Sequence, residues 1–401
     1  MTSDGWPIHP IGQLVERVVQ REAVEPTTTY KLLGVRGRSQ GAFIREEKAG
    51  EQVRAKYLYR VRSGLFIYNR LFASTGSFAV IGPAHGDCFV SNEFPHYECD
   101  PSALLAEYLN LWFQLPSTVN MVAEQCTGTT QSRLRWKERD FERTQIPVPP
   151  VAEQRRIVDL IARFDDAIVR AEHAERRIAD ALRALREDLL QPGASLLGDV
   201  ATVRSGPSWA AGDERTTATA TSMPVMKITN TRPDGTIDLT EVVHVEDLPA
   251  STWGIDDDTL VLIRTNGNRS RIGNVYRPPA AANGFAVSAF QMIIDVDPSY
   301  GRDLLFHYLA GPTPQQQMSH AASGTTGLGN LAVKWLRTLP VPDTTSAIHL
   351  PLLDDAQTAV QAAAALLFCL RNARVAILAD LLSGERVIPG SYDRFLDGVA
   401  A

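Results

Sequence analysis

The stretch RTNGNRSR, residues 264–271, is rich in side chains that could read the edges of nucleic acid bases. Arginine and lysine present donors that fit guanine in the major groove of a duplex, whereas asparagine and glutamine fit adenine. Glycine within such a loop lets the backbone adopt a tight turn. The alternative interpretation is a plain hairpin turn. The candidate base readers in this loop are Arg264, Asn266, Asn268, Arg269 and Arg271.

Positive charge is concentrated in two places, although the chain of 401 residues has a formal net charge of −6. An acidic protein does not coat nucleic acid by bulk attraction, so any such contact must be local. One basic stretch covers residues 36–62, and the other, 259–294, contains no Asp or Glu. Either stretch alone could be a solvated face. Within the first, the segment GVRGRSQG offers Arg36, Arg38 and Gln40 as further candidates.

The two basic stretches occupy matching places because the sequence repeats itself. The run SGLFIYNRLFASTGSFAVI parallels DDTLVLIRTNGNRSRIGNVY, and IPVP at 146–149 corresponds to LPVP at 339–342. The landmarks keep a constant order with an offset of roughly 190 to 200 residues, which predicts two similar globular units. Strand-like runs and a middle amphipathic helix make each unit α+β. The repeat also makes Asn69 and Arg70 the counterparts of the 264–271 loop.

A Gly-Thr-Thr segment occurs once in each half and is the second candidate for contact with nucleic acid. Small polar loops let backbone amides approach phosphates, which suggests phosphate positioning, with a structural turn as the alternative. Trp136 and Trp335 close these segments and are expected to be core aromatics. The candidate residues of the two segments are Thr129, Thr130 and Arg133 in the first half, and Thr325, Thr326, Asn330 and Lys334 in the second.

Each half leads into a long helix. Residues 153–190 contain neither Gly nor Pro, follow the proline-rich IPVPP and end at Gln191-Pro192-Gly193; at 1.5 Å per residue they predict a rod of about 57 Å. A second helix is predicted at about 355–382. Apolar residues spaced four and three apart form a seam on each helix, so we expect the two seams to bury each other as an antiparallel pair. Glu175 and Arg374 interrupt these seams, and one hypothesis pairs them to fix the register.

Sequence signatures of catalysis are absent. There is no GxxxxGK[ST] loop for a triphosphate, no [ND]-P-P-[YF] tetrad of aminomethyltransferases, and no HExxH metal motif. The acidic run Asp256-Asp257-Asp258 could serve a carboxylate-dependent nuclease, but a turn before a strand is the simpler interpretation. No basic leader followed by an apolar run begins the sequence, and no uninterrupted apolar stretch approaches 18 residues. We therefore expect a cytoplasmic protein without membrane contact.

The first junction, IPVPPVAEQRRIVDLIARFD, resembles the pattern I/L-P-x-P-P-x-x-E-Q-R-x-I of specificity (S) subunits of type I restriction-modification systems. The arrangement of unit, helix, unit and helix extends this resemblance over essentially the whole chain. The second junction departs from the pattern, because Asp355, Ala356 and Gln357 replace Glu-Gln-Arg and the following helix is shorter and rich in alanine. This departure leaves open how the second helix meets its partner.

The resemblance implies an α+β fold with two similar target recognition domains separated by a pair of long antiparallel helices, related by a pseudo-twofold internal duplication. The implied boundaries are 1–150 for the first recognition domain, 151–193 for the central spacer helix, 194–343 for the second recognition domain, 344–390 for the C-terminal spacer helix and 391–401 for the tail.

The resemblance also implies a function. Each recognition domain would read one half of a split, asymmetric sequence in double-stranded DNA, and the helices would set the unread gap. Such a subunit is not an enzyme and has no cofactor of its own. It docks two methyltransferase subunits, and restriction or motor subunits join for cleavage; S-adenosylmethionine, ATP and Mg belong to those partners. The alternatives left open are a coiled-coil adaptor that binds only proteins and an unrecognised metal-dependent nuclease.

Overall fold

The computed structural model describes residues 5–128, 130, 134–232, 235–324 and 328–396. The chain divides into two compact units. Unit 1 comprises Met1–Val169 together with Cys369–Ala401, and unit 2 comprises Arg170–Phe368.

Unit 1 contains a four-stranded antiparallel sheet in the order β2-β10-β7-β8 and a five-stranded sheet in the order β3-β6-β9-β4-β5. In the second sheet β9 lies parallel to β4, with Leu32 opposite Phe89. A third pair joins β1 to β11. The strands are β1 (Ile8–Pro10), β2 (Val15–Arg17), β3 (Arg21–Ala23), β4 (Thr29–Val35), β5 (Ala42–Ala49), β6 (Tyr57–Arg60), β7 (Phe66–Tyr68), β8 (Phe78–Val80), β9 (Phe89–Val90), β10 (His96–Cys99) and β11 (Gln145–Pro147).

Unit 2 contains two four-stranded sheets, in the orders β12-β20-β16-β18 and β13-β15-β14-β19, and a short pair of β17 with β21. Here β19 lies parallel to β14, with Val225 opposite Ala286. The strands are β12 (Ala201–Ser205), β13 (Glu214–Arg215), β14 (Ser222–Met226), β15 (Val243–Glu246), β16 (Thr259–Ile263), β17 (Thr265–Asn266), β18 (Val275–Tyr276), β19 (Ala286–Val287), β20 (Gln291–Val296) and β21 (Gly329–Asn330).

The strand orders show the duplication directly. In the first sheet of unit 1, β10, which comes last in the sequence, lies beside β2, which comes first, and the hairpin β7-β8 follows. The first sheet of unit 2 has the same arrangement, with β20 beside β12 and the hairpin β16-β18 next. The parallel contact between β9 and β4 likewise corresponds to that between β19 and β14. The second sheets of the two units differ in their additional strands, which are β3 and β6 beyond β9 in unit 1 and β13 beyond β15 in unit 2. The predicted α+β fold and the internal duplication are therefore confirmed.

Short helices cover the first sheet of each unit in the same order. In both units the second helix after the last strand of this sheet begins with proline, Pro116 or Pro312, which is suited to the first turn because its missing N–H has no helical acceptor. Aromatic and aliphatic side chains from these helices fill the core beneath them. The helices are α1 (Ala106–Trp112), α2 (Pro116–Gln125) and α3 (Glu138–Arg143) in unit 1, and α5 (Leu197–Val200), α6 (Arg302–Leu309), α7 (Pro312–Ala321) and α8 (Val333–Leu336) in unit 2.

The two long helices are α4 (Val151–Leu189) and α9 (Leu350–Ser383), and each contributes residues to both units. Helix α9 begins five residues before the predicted position, because Pro351 falls in its first turn, where proline is tolerated. Within unit 1, the beginning of α4 and the end of α9 share one core, to which Ile157 and Leu381 belong. Within unit 2, the end of α4 and the beginning of α9 do the same, through Leu182 and Leu353. Both contacts have the antiparallel sense that the apolar seams predict.

The predicted pairing of Glu175 with Arg374 is wrong. In unit 1 the Arg374 guanidinium binds both carboxylate oxygens of Asp165, at 2.5 and 2.9 Å, and the side chain of Gln114 at 2.9 Å. Asp165 lies ten residues before Glu175 on α4, a separation of about 15 Å along a helix. The sequence identified a charge within an apolar seam, but the heptad pattern does not determine which acid faces it.

The Glu-Gln-Arg motif at the start of α4 is structural. Gln154 is fully buried, and its amide nitrogen donates to the carbonyl oxygens of Ala103 and Pro149 at 2.8 and 2.9 Å. Its side-chain oxygen accepts from the backbone N–H of Leu105, the residue before α1, at 2.9 Å. The motif therefore fixes the beginning of the long helix to the beginning of α1.

We expect Gln154→Leu to lower the free energy of unfolding by about 2 kcal/mol, because it leaves one N–H and two carbonyl groups around this buried side chain without their partner. Urea denaturation followed by circular dichroism measures the change. The neighbouring Arg155 is exposed, so Arg155→Ala is the control and should alter stability by less than about 0.5 kcal/mol. Equal effects of the two substitutions would contradict the structural role of Gln154.

Unit 2 contains a buried polar cluster where α4, α6 and α9 meet. The Nε and Nη2 groups of Arg186 donate to Nδ1 of His307 at 3.3 and 3.2 Å, and Nη2 also donates to Gln357 at 2.7 Å. Because Nδ1 accepts, Nε2 carries the hydrogen and donates to Asp354 at 3.0 Å. Burial lowers the pKa of His307 from 6.5 to about 4, and repulsion by the two nearby arginines, Arg186 and Arg277, adds to this. His307 is therefore neutral at pH 7.

One helix among the described residues, Thr344–Ser383, is long and apolar enough by length and composition to cross a membrane. Its most apolar window has a mean hydropathy of 1.6 and is 11% buried. A single helix of this kind is weak evidence for a membrane span, because helices with apolar faces in other proteins pass the same test. In both units α9 packs against α4 through part of this surface.

Candidate nucleic-acid interface

Two main-chain hydrogen bonds, called the frame below, hold the loop after β16 in unit 2. The N–H of Arg264 donates to the carbonyl oxygen of Phe290 at 2.8 Å, and the N–H of Leu331 donates to the carbonyl oxygen of Arg264 at 2.9 Å. Arg264 is thus fixed between the loop that precedes β20 and the segment that follows β21. Its side chain donates to the Ser205 hydroxyl at 2.9 Å and to the Leu331 carbonyl at 3.3 Å.

The same frame occurs in unit 1 around Arg70. The N–H of Arg70 donates to the carbonyl oxygen of Glu93 at 3.0 Å, and the N–H of Trp136 donates to the carbonyl oxygen of Arg70 at 3.1 Å. Arg70 and Arg264 are therefore structural equivalents, as the sequence repeat predicts. Trp136 is fully buried and donates its indole N–H to Gln125 at 2.9 Å, whereas Trp335 is partly buried against the core of unit 2.

The predicted loop 264–271 presents its five candidate side chains in different environments. The side-chain oxygen of Asn266 accepts from the N–H of Asn268, and that of Asn268 accepts from both the N–H and the hydroxyl of Ser270. Reading adenine requires this oxygen as an acceptor, so both asparagines serve the turn in this conformation. Arg271 donates to the Thr231 carbonyl at 2.9 Å. Arg269, at the start of the short helical turn, is exposed.

In unit 1 the segment GVRGRSQG is the tip of the β4–β5 hairpin. Arg38 and Ser39 have φ angles of 54° and 50°, which non-glycine residues rarely adopt. Their N–H groups donate to the carbonyl oxygens of Thr75 and Gly76 at 2.8 and 2.7 Å, which fixes the tip against the loop after β7. The structure thus brings together two segments that the sequence identified separately. Arg36, Arg38 and Gln40 are exposed, and the Arg36 guanidinium lies 4.4 Å from the centre of the Phe43 ring.

The other candidates of unit 1 are integrated into the fold. Asn69 is 7% exposed, and its side-chain oxygen accepts from the N–H of Leu71 at 3.0 Å. Arg70 is held by Glu138 at 3.2 Å and by Glu93 at 3.4 Å. These partners occupy the groups that would read a base, so neither residue belongs to the exposed surface.

The two Gly-Thr-Thr segments are described only in part. Thr129, Arg133, Thr325 and Thr326 lie outside the described residues. Thr130 is exposed, and so is Lys334 on α8. The side-chain oxygen of Asn330 accepts from the Thr265 hydroxyl at 2.8 Å, next to the pairing of β17 with β21. The phosphate-positioning role of these segments stays a prediction.

Carboxylates neutralise much of the basic stretch 36–62. Glu46 binds both Lys48 and Arg45, at 3.0 and 2.7 Å, and their hydrogen bonds lower its pKa. Glu22 binds Arg60 at 2.6 Å, and this hydrogen bond lowers the pKa of Glu22. The exposed tip of the β4–β5 hairpin is therefore a better candidate for phosphate or base contact than the stretch as a whole.

Sequence reasoning missed two exposed aromatic side chains beside the framed loops. Phe72 in unit 1 is 56% exposed, and Phe290 in unit 2 is 50% exposed. Phe290 immediately precedes β20, which begins at Gln291. No alternation of side chains could have separated Phe290 from this strand, because five of the six residues of β20 are buried.

Residues 50–177 match the family model described as "Type I restriction modification DNA specificity domain". This stretch is therefore similar to a type I DNA specificity domain. The resemblance predicted from the proline-rich junction is confirmed, since the matched segment of the specificity domain includes that junction and the first part of α4. No match was found among the curated proteins.

Solved structures resemble this chain over nearly its full length. One, described as "Structural basis underlying complex assembly and conformational transition of the type I R-M system", is 17% identical, with a TM-score of 0.61, and the match covers 96% of this chain and 99% of that chain. The type I restriction-modification system S subunit from M. genitalium is 13% identical, with a TM-score of 0.54 and 96% of each chain covered. These likenesses support the fold.

Proposed function

We propose that this chain is the DNA-specificity subunit of a type I restriction-modification assembly, in which each unit reads one half of a bipartite, asymmetric target in double-stranded DNA. The observation that carries the proposal is the specificity-domain match of residues 50–177, and the repetition of the sheet order in unit 2 extends it to a second reader. The subunit itself is not catalytic. The role of the long helices in setting the gap remains a prediction.

The partners of the proposed subunit are two methyltransferase subunits, and restriction or motor subunits where the assembly cleaves DNA. These partners would bind S-adenosylmethionine, ATP and Mg, and the assembly would work in the cytoplasm. Exposed apolar side chains on α9 support docking of a protein, because monomeric soluble proteins rarely expose contiguous apolar surface unless it serves an interaction. Leu366 and Phe368 of unit 2 are 56% and 67% exposed.

The alternative functions gain no support. The carboxylate of Asp256 accepts from the N–H of Asp258 and from the Thr259 hydroxyl, so the acidic run forms the turn before β16. Among the described residues, no group of three His, Cys, Asp or Glu side chains is placed to hold a metal. A protein adaptor would not retain DNA, whereas the proposed subunit should retain it in a salt-dependent manner.

The experiment that tests the proposal is co-expression of the chain with its neighbouring methyltransferase gene, followed by mapping of methylated adenines across a genome. We expect a split motif with a fixed gap. Methylation without a split motif, or none that depends on this chain, would overturn the proposal.

In the same assay we expect Arg269→Ala to weaken discrimination in one half-site only, by about 1–3 kcal/mol, since this exposed arginine lies on one unit. The exposed Arg183 on α4 of unit 2 is the matched control, because Arg183→Ala removes the same charge away from the loop. Loss of discrimination in both half-sites would show that the loop has been assigned incorrectly.

A further inference from the structure

The two units differ at one position of their common frame. In each, a carbonyl oxygen accepts from the N–H of the equivalent arginine, Arg70 or Arg264. The residue that supplies this oxygen is Glu93 in unit 1 and Phe290 in unit 2. Both residues lie between the parallel strand, β9 or β19, and the central strand of the first sheet, β10 or β20. The frame depends on the main chain, so the two side chains are directly comparable.

This difference changes the charge balance of the arginine. In unit 1 Glu93 lies 3.4 Å from Arg70 and 3.1 Å from Arg135, and it raises the pKa of Arg135. In unit 2 the partners of Arg264 are the neutral oxygens of Ser205 and Leu331. Within the part of the chain that the structure describes, the hydrogen bonds of the Arg264 side chain go to these two oxygens and to no carboxylate.

The Arg264 guanidinium keeps N–H donors that no oxygen of the described residues occupies, and these donors can bind an acceptor from outside the chain. The Nε–H and one N–H of Nη1 are already donated within the chain. The second N–H of Nη1 and the N–H groups of Nη2 are left to donate to a ligand. This pair of donors fits the O6 and N7 acceptors of guanine in the major groove. The stretch 259–294, which contains both Arg264 and Phe290, has no acidic residue to repel DNA.

Phe290 adds an apolar surface to the same loop. Its ring is 50% exposed, and it lines a cavity of about 390 Å³ together with Trp209 and Ile228. In the major groove the apolar feature that distinguishes one base pair from another is the C5-methyl group of thymine. A phenylalanine beside a guanine-reading arginine is therefore placed to contact the methyl group of an adjacent thymine.

We propose that Arg264 and Phe290 determine the specificity of unit 2, with Arg264 donating to guanine and the Phe290 ring contacting the methyl group of a neighbouring thymine. This inference rests on the proposed function as a DNA-specificity subunit. Unit 1 lacks this pair of base contacts, because the Glu93 carboxylate already neutralises Arg70. The two half-sites consequently differ in the bases that this position of the frame reads.

An exchange between the two units tests the proposal. Phe290→Glu places in unit 2 the side chain that unit 1 has at the equivalent position, and the new carboxylate is expected to bind Arg264. In the co-expressed assembly, methylation mapping should show that one half-site loses preference for a guanine, by roughly 10- to 100-fold, while the other half-site is unchanged. Phe72→Glu puts the same charge on an exposed phenylalanine of unit 1 and should leave that guanine preference intact.

Base analogues then separate the two contacts in binding measurements on the wild-type assembly. Replacing the guanine with 7-deazaguanine, which lacks the N7 acceptor, and replacing the thymine with uracil, which lacks the methyl group, should each weaken binding roughly 3- to 30-fold. Phe290→Ala should abolish the response to uracil and retain the response to 7-deazaguanine, and Arg264→Ala should do the reverse.

The outcomes distinguish this inference from the proposed function. A split methylation motif whose guanine preference survives Phe290→Glu would overturn the inference and leave the proposed function standing. The absence of a split motif in the wild type would overturn both. Thermal unfolding of each variant confirms that a lost preference does not come from a lost fold, and Phe290→Leu, which keeps an apolar side chain, should retain most of the preference.

Discussion

Replacing Phe141 with alanine is expected to lower the free energy of unfolding of unit 1 by about 3–5 kcal/mol. Phe141 is fully buried, and its ring centre lies 4.5 Å from that of Tyr97, 5.7 Å from that of Phe66 and 5.7 Å from that of Trp136. Removing the ring takes away these contacts and leaves a cavity that rigid aromatic neighbours cannot close, so the loss should lie in the upper part of the range for core substitutions.

Urea denaturation followed by near-ultraviolet circular dichroism measures this effect, because the aromatic cluster dominates that signal in unit 1. Phe72→Ala is the matched control: it removes the same ring from a side chain that is 56% exposed, and we expect a change below about 1 kcal/mol. A comparable loss for both variants would mean that the aromatic cluster does not stabilise unit 1 more than an exposed ring does.

Acidification is expected to destabilise unit 2 through His307. The pKa of His307 is about 4 in the folded chain against an ordinary value of 6.5. The unfolded chain therefore binds a proton at a higher pH than the folded chain does. The stability that neutral His307 contributes is complete above pH 6.5 and is lost as the pH falls from about 6.5 to about 4, by roughly 3 kcal/mol in total.

The physical cause is the geometry around Nδ1. Protonation of Nδ1 removes the acceptor used by Arg186 and places an N–H against the guanidinium group, in a side chain that is fully buried. His307→Gln removes the titration, so chemical denaturation between pH 7 and pH 4 should show a smaller loss for this variant than for the wild type. His320 on α7 is exposed, and His320→Gln should lose as much stability as the wild type. Parallel curves for wild type and His307→Gln would contradict the role of His307.

The long helices were predictable because their signals are local. Prolines stop the preceding segment, an uninterrupted run of helix-forming residues follows, and a Pro-Gly step ends the first helix. The duplication was equally visible, since matching strand-like runs, turns and the segments IPVP and LPVP recur in one order. These features depend on residues close together in the chain, and they determine the α+β fold of each unit.

The arrangement of the candidate interface was not predictable in the same way. The frame around Arg70 joins residues 70, 93 and 136 through main-chain hydrogen bonds, and main-chain bonds between distant segments leave no residue-type signal. Asn69 was selected for its side chain, but its position beside Leu71 uses that side chain to close a turn. Likewise, the pairing of Arg374 with Asp165 depends on the register of two helices, which the heptad pattern leaves open.

The main-chain bonds that hold Glu93 and Phe290 are made by peptide groups alone, and every residue other than proline supplies the same groups. A substitution by any residue other than proline therefore leaves these main-chain bonds in place, although at residue 93 it also removes the carboxylate that binds Arg70 and Arg135. Under the proposed function, a single codon change at residue 290 would retarget one half of the recognition sequence, while the fold of the unit that carries it and the other half-site stay the same.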